Sequence, residues 1–405
     1  MATPESERIG GAPTAFRLAQ DRDSRERVVA LEAKQRVISA DSHVIEPGDL
    51  WTTHITKKFR DRAPHIESRA TMPDGTVEDG EFLVIEGSGP QRVAGFAAMD
   101  VDPKERKSAN TRGYEQIRAG GWDPVERLKD QDIDGVTAEV IYPSMTMPYF
   151  SLEDAGFQQA VFAAYSTWLS EFVAHAPERL VGLALLCLDD IDWAVAELHR
   201  ARRLGLRGAL IPNDVGPDRT YADPLFDPVW AAAAELEMPL SMHILTGRQA
   251  RPAGPKGDPW FVWYMSLPSP AMRSITAMLC GGVFARYPTL KVVSVENDIG
   301  WLGHYLFRLQ HAWDQFRFLQ GYKDPLSPIE YFAQNIWATF QSDPVGVDTR
   351  ERIGIDRLMW GSDYPHGDST WPASRETIDW NFQTVGPDDV AKMTHDNVTA
   401  LYGLG

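Results

Sequence analysis

Six side chains able to bind metal sit at the ends of short apolar runs: Asp41, His43 and Glu46 in VISADSHVIEP, His243 in PLSMHI, Glu296 in KVVSVEND and Asp363 in LMWGSDYPH. Two imidazoles and four carboxylates suit two hard cations. Four carboxylates offset the charge of two Fe(II) ions and can bridge ions about 3.5 to 4 Å apart. Asp41 and His43 are spaced Asp-x-His, which on an extended segment turns both side chains to one side. Glu296 carries the most weight, because a glutamate at the end of VVSV is costly to bury alone and a cation relieves that cost. A structural zinc would more often recruit thiolate, and neither Cys187 nor Cys280 lies near these motifs. Each residue also has a plainer role. Asp41 and Asp363 can cap or close a turn, His243 can be a satisfied core histidine, and Glu46, next to Pro47, can face solvent.

The chemistry expected of such a centre is activation of O2 by two non-haem iron ions and hydroxylation of an unactivated C–H bond, with Glu296 and Asp363 as the catalytic carboxylates. Electrons would come from an external donor or reductase, since the GSG at 87–89 lacks the strand, spacing and helix of a dinucleotide fingerprint. After His243 runs a long segment rich in Gly and Pro, in which Arg248, Arg251 and Lys256 precede Trp260, Phe261, Trp263, Tyr264 and Met265. Basic residues beside aromatics can hold phosphates at a rim and a hydrophobic ring system inside, so a hydrophobic or CoA-linked substrate is expected. The same aromatics can serve as core or as a subunit contact, and a homo-oligomer would bury them. His366, three residues beyond Asp363, is a further candidate for substrate contact, with a turn role as its alternative.

Elements that could position these residues follow from the apolar pattern. Eight short apolar runs, at 37–41, 135–143, 180–188, 207–212, 239–244, 290–297, 335–340 and 357–362, alternate with helical patterns such as IDWAVAELHRARR. Alternating strands and helices pair in parallel with right-handed crossovers, and eight such units close into a (β/α)8 TIM barrel of class α/β. Its active site is built at the C-terminal ends of the strands, which is where the proposed ligands fall. Residues 1–35 form an N-terminal arm and 36–405 a single barrel domain. A polar insertion at about 52–125 follows strand 1, and its MPDGTVEDGEFLVIEG predicts a hairpin.

With 405 residues, 43% of them hydrophobic, the chain can bury a large core. A formal net charge of -17 disfavours nucleic acid and anionic membranes as partners. No apolar run approaches the roughly 18 residues of a membrane span, and the first 30 residues lack the apolar core of a secretory signal. Two cysteines in apolar contexts make no disulfide framework, so the chain reads as cytoplasmic.

The motifs DSH, MH and GSDYP, with the closing DNVTALYGL, resemble the amidohydrolase-related TIM barrels that include aminocarboxymuconate-semialdehyde and resorcylate decarboxylases. The resemblance spans roughly residues 36–403. It implies metal positions at His43, His243 and Asp363, with Asp41 where members have His or Glu. It also implies a histidine at strand 6 where this chain has Glu296. The VENDIGW variant, with DSHVIEP and MWGSDYPHGDSTWP, resembles the branch of TIM-barrel non-haem diiron monooxygenases of platensimycin and platencin biosynthesis, which implies two iron ions, O2 and a bulky terpenoid substrate. Two alternatives remain: a hydrolase or decarboxylase with a single Zn2+ or Mn2+, and a non-catalytic barrel that binds a lipophilic or CoA-like ligand.

Overall fold

The computed structural model describes residues 35–106, 112–248 and 260–405. Apart from Gln35, the expected N-terminal arm lies outside the described residues, as do Arg251 and Lys256. Eight parallel strands form one sheet: β1 (Ile38–His43), β5 (Ala138–Tyr142), β6 (Leu180–Leu185), β7 (Gly208–Ile211), β8 (Leu240–His243), β9 (Val292–Val295), β10 (Ile336–Phe340) and β11 (Leu358–Trp360), in that spatial order. Three further strands, β2 (His65–Thr71), β3 (Val77–Val84) and β4 (Gln91–Arg92), make a separate antiparallel sheet inside the insertion after β1. The predicted hairpin is therefore present, with its turn at Met72–Thr76.

Each barrel strand is buried along its whole length. This fits parallel strands covered on one face by helices and on the other by the barrel interior. Helices α1 (Pro124–Asp134), α2 (Ala155–Val173) and α3 (Ile191–Arg203) begin at Asp123, Asp154 and Asp190, whose carboxylates accept backbone N–H groups of their first turns. The barrel closes between β1 and β11. Asp363 N donates to Asp41 O at 2.8 Å and His43 N to Tyr364 O at 2.5 Å. Gly361 permits this approach, since a Cβ there would lie 2.5 Å from the Cβ of Asp41. No helix among the described residues is long and apolar enough to cross a membrane.

Strand β1 runs two residues past its expected end and contains an irregularity in its pairing with β5 between Ser39 and Ser42. Such bulges re-aim side chains next to functional sites. Here the polar residues of ISADSH are all buried, and the two serines are hydrogen-bonded inside the barrel. Ser42 Oγ donates to Glu139 Oε1 at 3.0 Å and lies 2.9 Å from Ser39 Oγ. Glu139 also accepts from Arg127 Nε and Gln131 Nε2, both at 2.6 Å. Arg127, fully buried on α1, donates through Nη1 to His43 O at 2.7 Å. A buried pair of this kind adds little against an apolar alternative, but removing one partner strands the other charge. Arg127→Leu should therefore lower unfolding stability by about 3–5 kcal/mol in urea titrations, and a change within ~0.5 kcal/mol would refute this account of the pair.

A second buried acid makes stability depend on pH. Asp134, at the end of α1, accepts from Ser374 N at 2.9 Å and Ser374 Oγ at 2.6 Å. Burial pushes its carboxyl up to about 6, against the two Ser374 bonds, from an ordinary 3.8. The folded state thus holds this proton more tightly than the unfolded chain does. Its contribution is present in acid and is lost as pH rises from about 4 to about 6. Asp134→Asn should flatten that part of the stability profile; an unchanged slope between the two proteins would show that Asp134 does not titrate in this range.

Candidate metal centre

The C-terminal ends of β1, β8, β9 and β11 bring Asp41, His43, His243, Glu296 and Asp363 to one place. His243 Nε2 lies 3.3 Å from His43 Nε2, 3.6 Å from Asp41 Oδ1 and 3.0 Å from Glu296 Oε2. His43 Nε2 lies 3.5 Å from Asp41 Oδ1, 3.3 Å from Asp363 Oδ1 and 3.9 Å from Glu296 Oε2. Glu296, directly after β9, and Asp363, three residues past β11, both adopt left-handed backbone, at φ 55° and 58°. Non-glycine residues there are strained, and such strain gathers at functional sites.

The hydrogen-bond partners settle what the two imidazoles offer. His43 Nδ1 lies 2.7 Å from Pro143 O and His243 Nδ1 lies 2.9 Å from Ile244 O. Carbonyl oxygens only accept, so each Nδ1 carries a hydrogen, and in the neutral ring each Nε2 presents a lone pair. Two lone pairs 3.3 Å apart cannot bond each other. Around them stand only further acceptors, among which Asp41 Oδ1 is buried without a hydrogen-bond partner, while Asp363 Oδ1 has His366 Nδ1 at 2.7 Å. A divalent cation satisfies all of these atoms at once, and imidazole with carboxylate is a donor set for Zn2+, Mn2+ or Fe2+.

Electrostatics of the protein groups point the same way. Although burial opposes charge on His243, the carboxylates of Glu296 and Asp41 raise its pKa well above the ordinary histidine range. Against its own burial, Asp41 is held below the ordinary carboxylate range by His243 and His43. Asp363 is pushed well above that range by burial, with His366 opposing. The site therefore attracts positive charge, which a proton or a metal ion can supply.

The structure does not bring Glu46 into this cluster. Its fully buried carboxylate accepts from Ser144 N at 3.3 Å, Met145 N and Thr146 N at 2.9 Å, and Thr146 Oγ1 at 2.5 Å. Burial pushes this carboxyl up, and the four donors oppose that. With both oxygens engaged, Glu46 is not available to a cation, and the expected set of four carboxylates falls to three. His366 joins instead. Its Nδ1 is 2.7 Å from Asp363 Oδ1, its Nε2 2.8 Å from Ser144 Oγ, and its ring lies over His43 at 4.0 Å between centroids.

Above the cluster is a cavity of about 170 Å³ lined by Ile244, Tyr264, Met265, Phe340 and the acids Glu296, Asp298, Asp363 and Asp368, among others. Tyr264 and Met265 come from a short helix, α4 (Trp260–Met265). Trp263, on the same helix, is half-buried with its ring 5.7 Å from that of Trp260, and it does not line the cavity. Arg248 forms an ion pair with Asp189 away from the lining. Sequence reasoning missed Asp298 and Asp368 as wall residues, and missed Pro143 and Ser144 as partners of the histidines. Pro143 and Ser144 act through a carbonyl and a hydroxyl at a strand end, which no motif marks.

Fold and site together define a metal-binding (β/α)8 barrel with mixed imidazole and carboxylate ligands. The sequence profile described as Amidohydrolase matches residues 114–404, and the chain belongs to that family. It is 25% identical over 268 residues to 2-amino-3-carboxymuconate-6-semialdehyde decarboxylase of Dictyostelium discoideum, covering 65% of this chain and 72% of that one. It is 26% identical over 298 residues to a gamma-resorcylate decarboxylase of Rhizobium radiobacter, covering 69% and 86%. In structure it is similar to an amidohydrolase of Mycobacterium avium subsp. paratuberculosis, with a TM-score of 0.73 at 23% identity over 92% of this chain and 99% of that one. A 5-carboxyvanillate decarboxylase of Novosphingobium aromaticivorans, solved with manganese, superposes with a TM-score of 0.66 at 18% identity, over 94% and 100%.

These similarities overturn the expectation of a diiron monooxygenase. The relatives are decarboxylases, whose chemistry needs neither two irons, O2 nor an electron donor, and the resemblance that holds is to them rather than to the diiron branch. The physical source of the error is the ligand count. Glu46 supplied the fourth carboxylate, and it is spent on backbone N–H groups. His243→Ala should remove most bound metal while leaving the far-ultraviolet circular dichroism of the barrel intact. Undiminished metal content in that variant would exclude His243 as a ligand.

Proposed function

We propose that the chain is a metal-dependent carboxy-lyase that removes CO2 from a small, ring-bearing carboxylate with one Zn2+ or Mn2+. The observation that carries this reading is the pair of facing Nε2 atoms flanked by the carboxylates of Asp41 and Asp363, with Asp41 Oδ1 buried without a hydrogen-bond partner. The decarboxylase relatives support the reaction class. Asp41, His43, His243 and Asp363 would hold the ion, with Glu296 as a further carboxylate beside it. A bound divalent cation supplies Lewis acidity and a positive anchor for the substrate carboxylate or a neighbouring hydroxyl.

The remaining work falls to the chain's own residues. A cavity of about 170 Å³ compares with the roughly 150 Å³ that accepts benzene, so one substituted ring fits. Buried Ile244 and Phe340 would flank that ring on the inside, with the more exposed Tyr264 and Met265 at its outer edge. Loss of CO2 breaks the C–C bond and leaves its electron pair on the ring carbon, which must take a proton. Glu296 stands where the family resemblance implies a histidine, so the proton is assigned to the buried Asp363–His366 pair. In that pair His366 Nδ1 lies 2.7 Å from Asp363 Oδ1, close enough for a proton to pass between them. The pairing of Arg248 with Asp189 and the acidic wall favour a small carboxylate over a CoA thioester. The free thiols of Cys187 and Cys280 support a reducing, cytoplasmic setting.

The test is anaerobic incubation of Mn2+- or Zn2+-loaded protein with hydroxybenzoates such as 2,6-dihydroxybenzoate, followed by CO2 release and, in D2O, deuterium at the vacated carbon. Turnover without O2, abolished in Asp363→Asn, is expected. Turnover that consumes O2, or cleavage of an amide or ester without CO2, would overturn the assignment.

A further inference from the structure

Glu46 is the one candidate from the DSHVIEP motif that the metal cluster does not absorb, yet it is fully buried and saturated with donors. Its four bonds all go to a three-residue stretch, Ser144–Thr146, directly after β5. That stretch and Pro143 before it make the two contacts that orient histidines at the site. Pro143 O accepts from His43 Nδ1 at 2.7 Å, and Ser144 Oγ meets His366 Nε2 at 2.8 Å. Glu46 lies three residues from His43 in the chain. One buried carboxylate thus ties the strand that carries a ligand to the loop that sets that ligand's tautomer.

From this geometry we infer that Glu46 is a positioning residue, which clamps the loop after β5 so that His43 presents its Nε2 lone pair to the metal and His366 is held against Asp363. The inference rests on the reading of the cluster as a metal centre, but not on the reaction assigned to it. Three convergent backbone N–H groups need an acceptor with lone pairs on both oxygens, which an ionised carboxylate supplies. A glutamine in its place turns an NH2 toward at least one of those donors, so the loop must move. Pro143 O then leaves His43 Nδ1, and nothing else in the described site holds the hydrogen on that nitrogen. Partners of metal-bound histidines that fix their orientation typically contribute about 10- to 100-fold to metal affinity.

The experiment compares the full-length protein with Glu46→Gln. Histidine 15N spectra of the metal-free proteins report the tautomer, and a competition titration with a chromophoric chelator reports Zn2+ affinity. The variant should lose the Nδ1–H signature of His43 and bind Zn2+ about 10- to 100-fold more weakly. A merely structural glutamate would lower stability without changing the tautomer. Should Glu46→Gln fail to fold, Thr146→Val removes one of the four bonds and should shift the same two readouts in the same direction by a smaller factor. Ser144→Ala separates the two arms of the clamp: it should release His366 and leave the His43 tautomer as it is. An unchanged His43 spectrum with Zn2+ affinity within about twofold of the parent, in Glu46→Gln or in its substitute, would overturn the proposal. Zn2+ affinity and tautomer do not involve CO2 release, so a failed clamp and a failed decarboxylase assignment give different results.

Discussion

Two histidines that have each given their only N–H to a backbone carbonyl cannot bond each other, and this single constraint organises the mouth of the barrel. At 3.3 Å apart, His43 Nε2 and His243 Nε2 repel unless a positive charge lies near both. Acidic oxygens surround them rather than donors. The cluster is therefore stable only around a cation or a proton, and its field favours either one. Everything in the surroundings keeps the imidazoles from turning away: Pro143 O and Ile244 O fix their tautomers, and the His366 ring lies over His43.

That arrangement stands on a polar interior in which nearly every group is paired. Ser39, Ser42 and Ser362 bond one another between β1 and β11, and Glu139 gathers Ser42, Arg127 and Gln131 beneath them. Arg127 reaches the carbonyl of His43 itself. Buried polar networks of this kind stiffen what they hold when fully satisfied. Above this layer Asp41 Oδ1 is buried without a hydrogen-bond partner where the ligands meet.

Counting ligand types without their partners misjudged the chemistry. Glu46 and Glu296 are both glutamates just past an apolar run, and the local sequence does not show which of them is already hydrogen-bonded. One is consumed by three backbone N–H groups and a hydroxyl nearly a hundred residues away, while the other, 28% exposed, faces the cavity. The difference changes the set from four carboxylates to three. With it goes the charge balance that suggested two irons. His366, expected as a substrate contact, is instead a partner of both Asp363 and Ser144.

Hydrophobic periodicity alone determined the eight strands, their alternation with helices, the hairpin in the insertion and the strand ends from which ligands project. These follow from local pattern and from the few ways a parallel sheet can close. The same reasoning found Asp41, His43, His243, Glu296 and Asp363, because a polar residue at the end of an apolar strand is visible in one dimension. Only the tertiary structure decided which of those atoms are free. Hydrogen bonds such as Pro143 O to His43 and Ser144–Thr146 to Glu46 join residues about a hundred positions apart, and availability of a lone pair depends on such partners rather than on residue type.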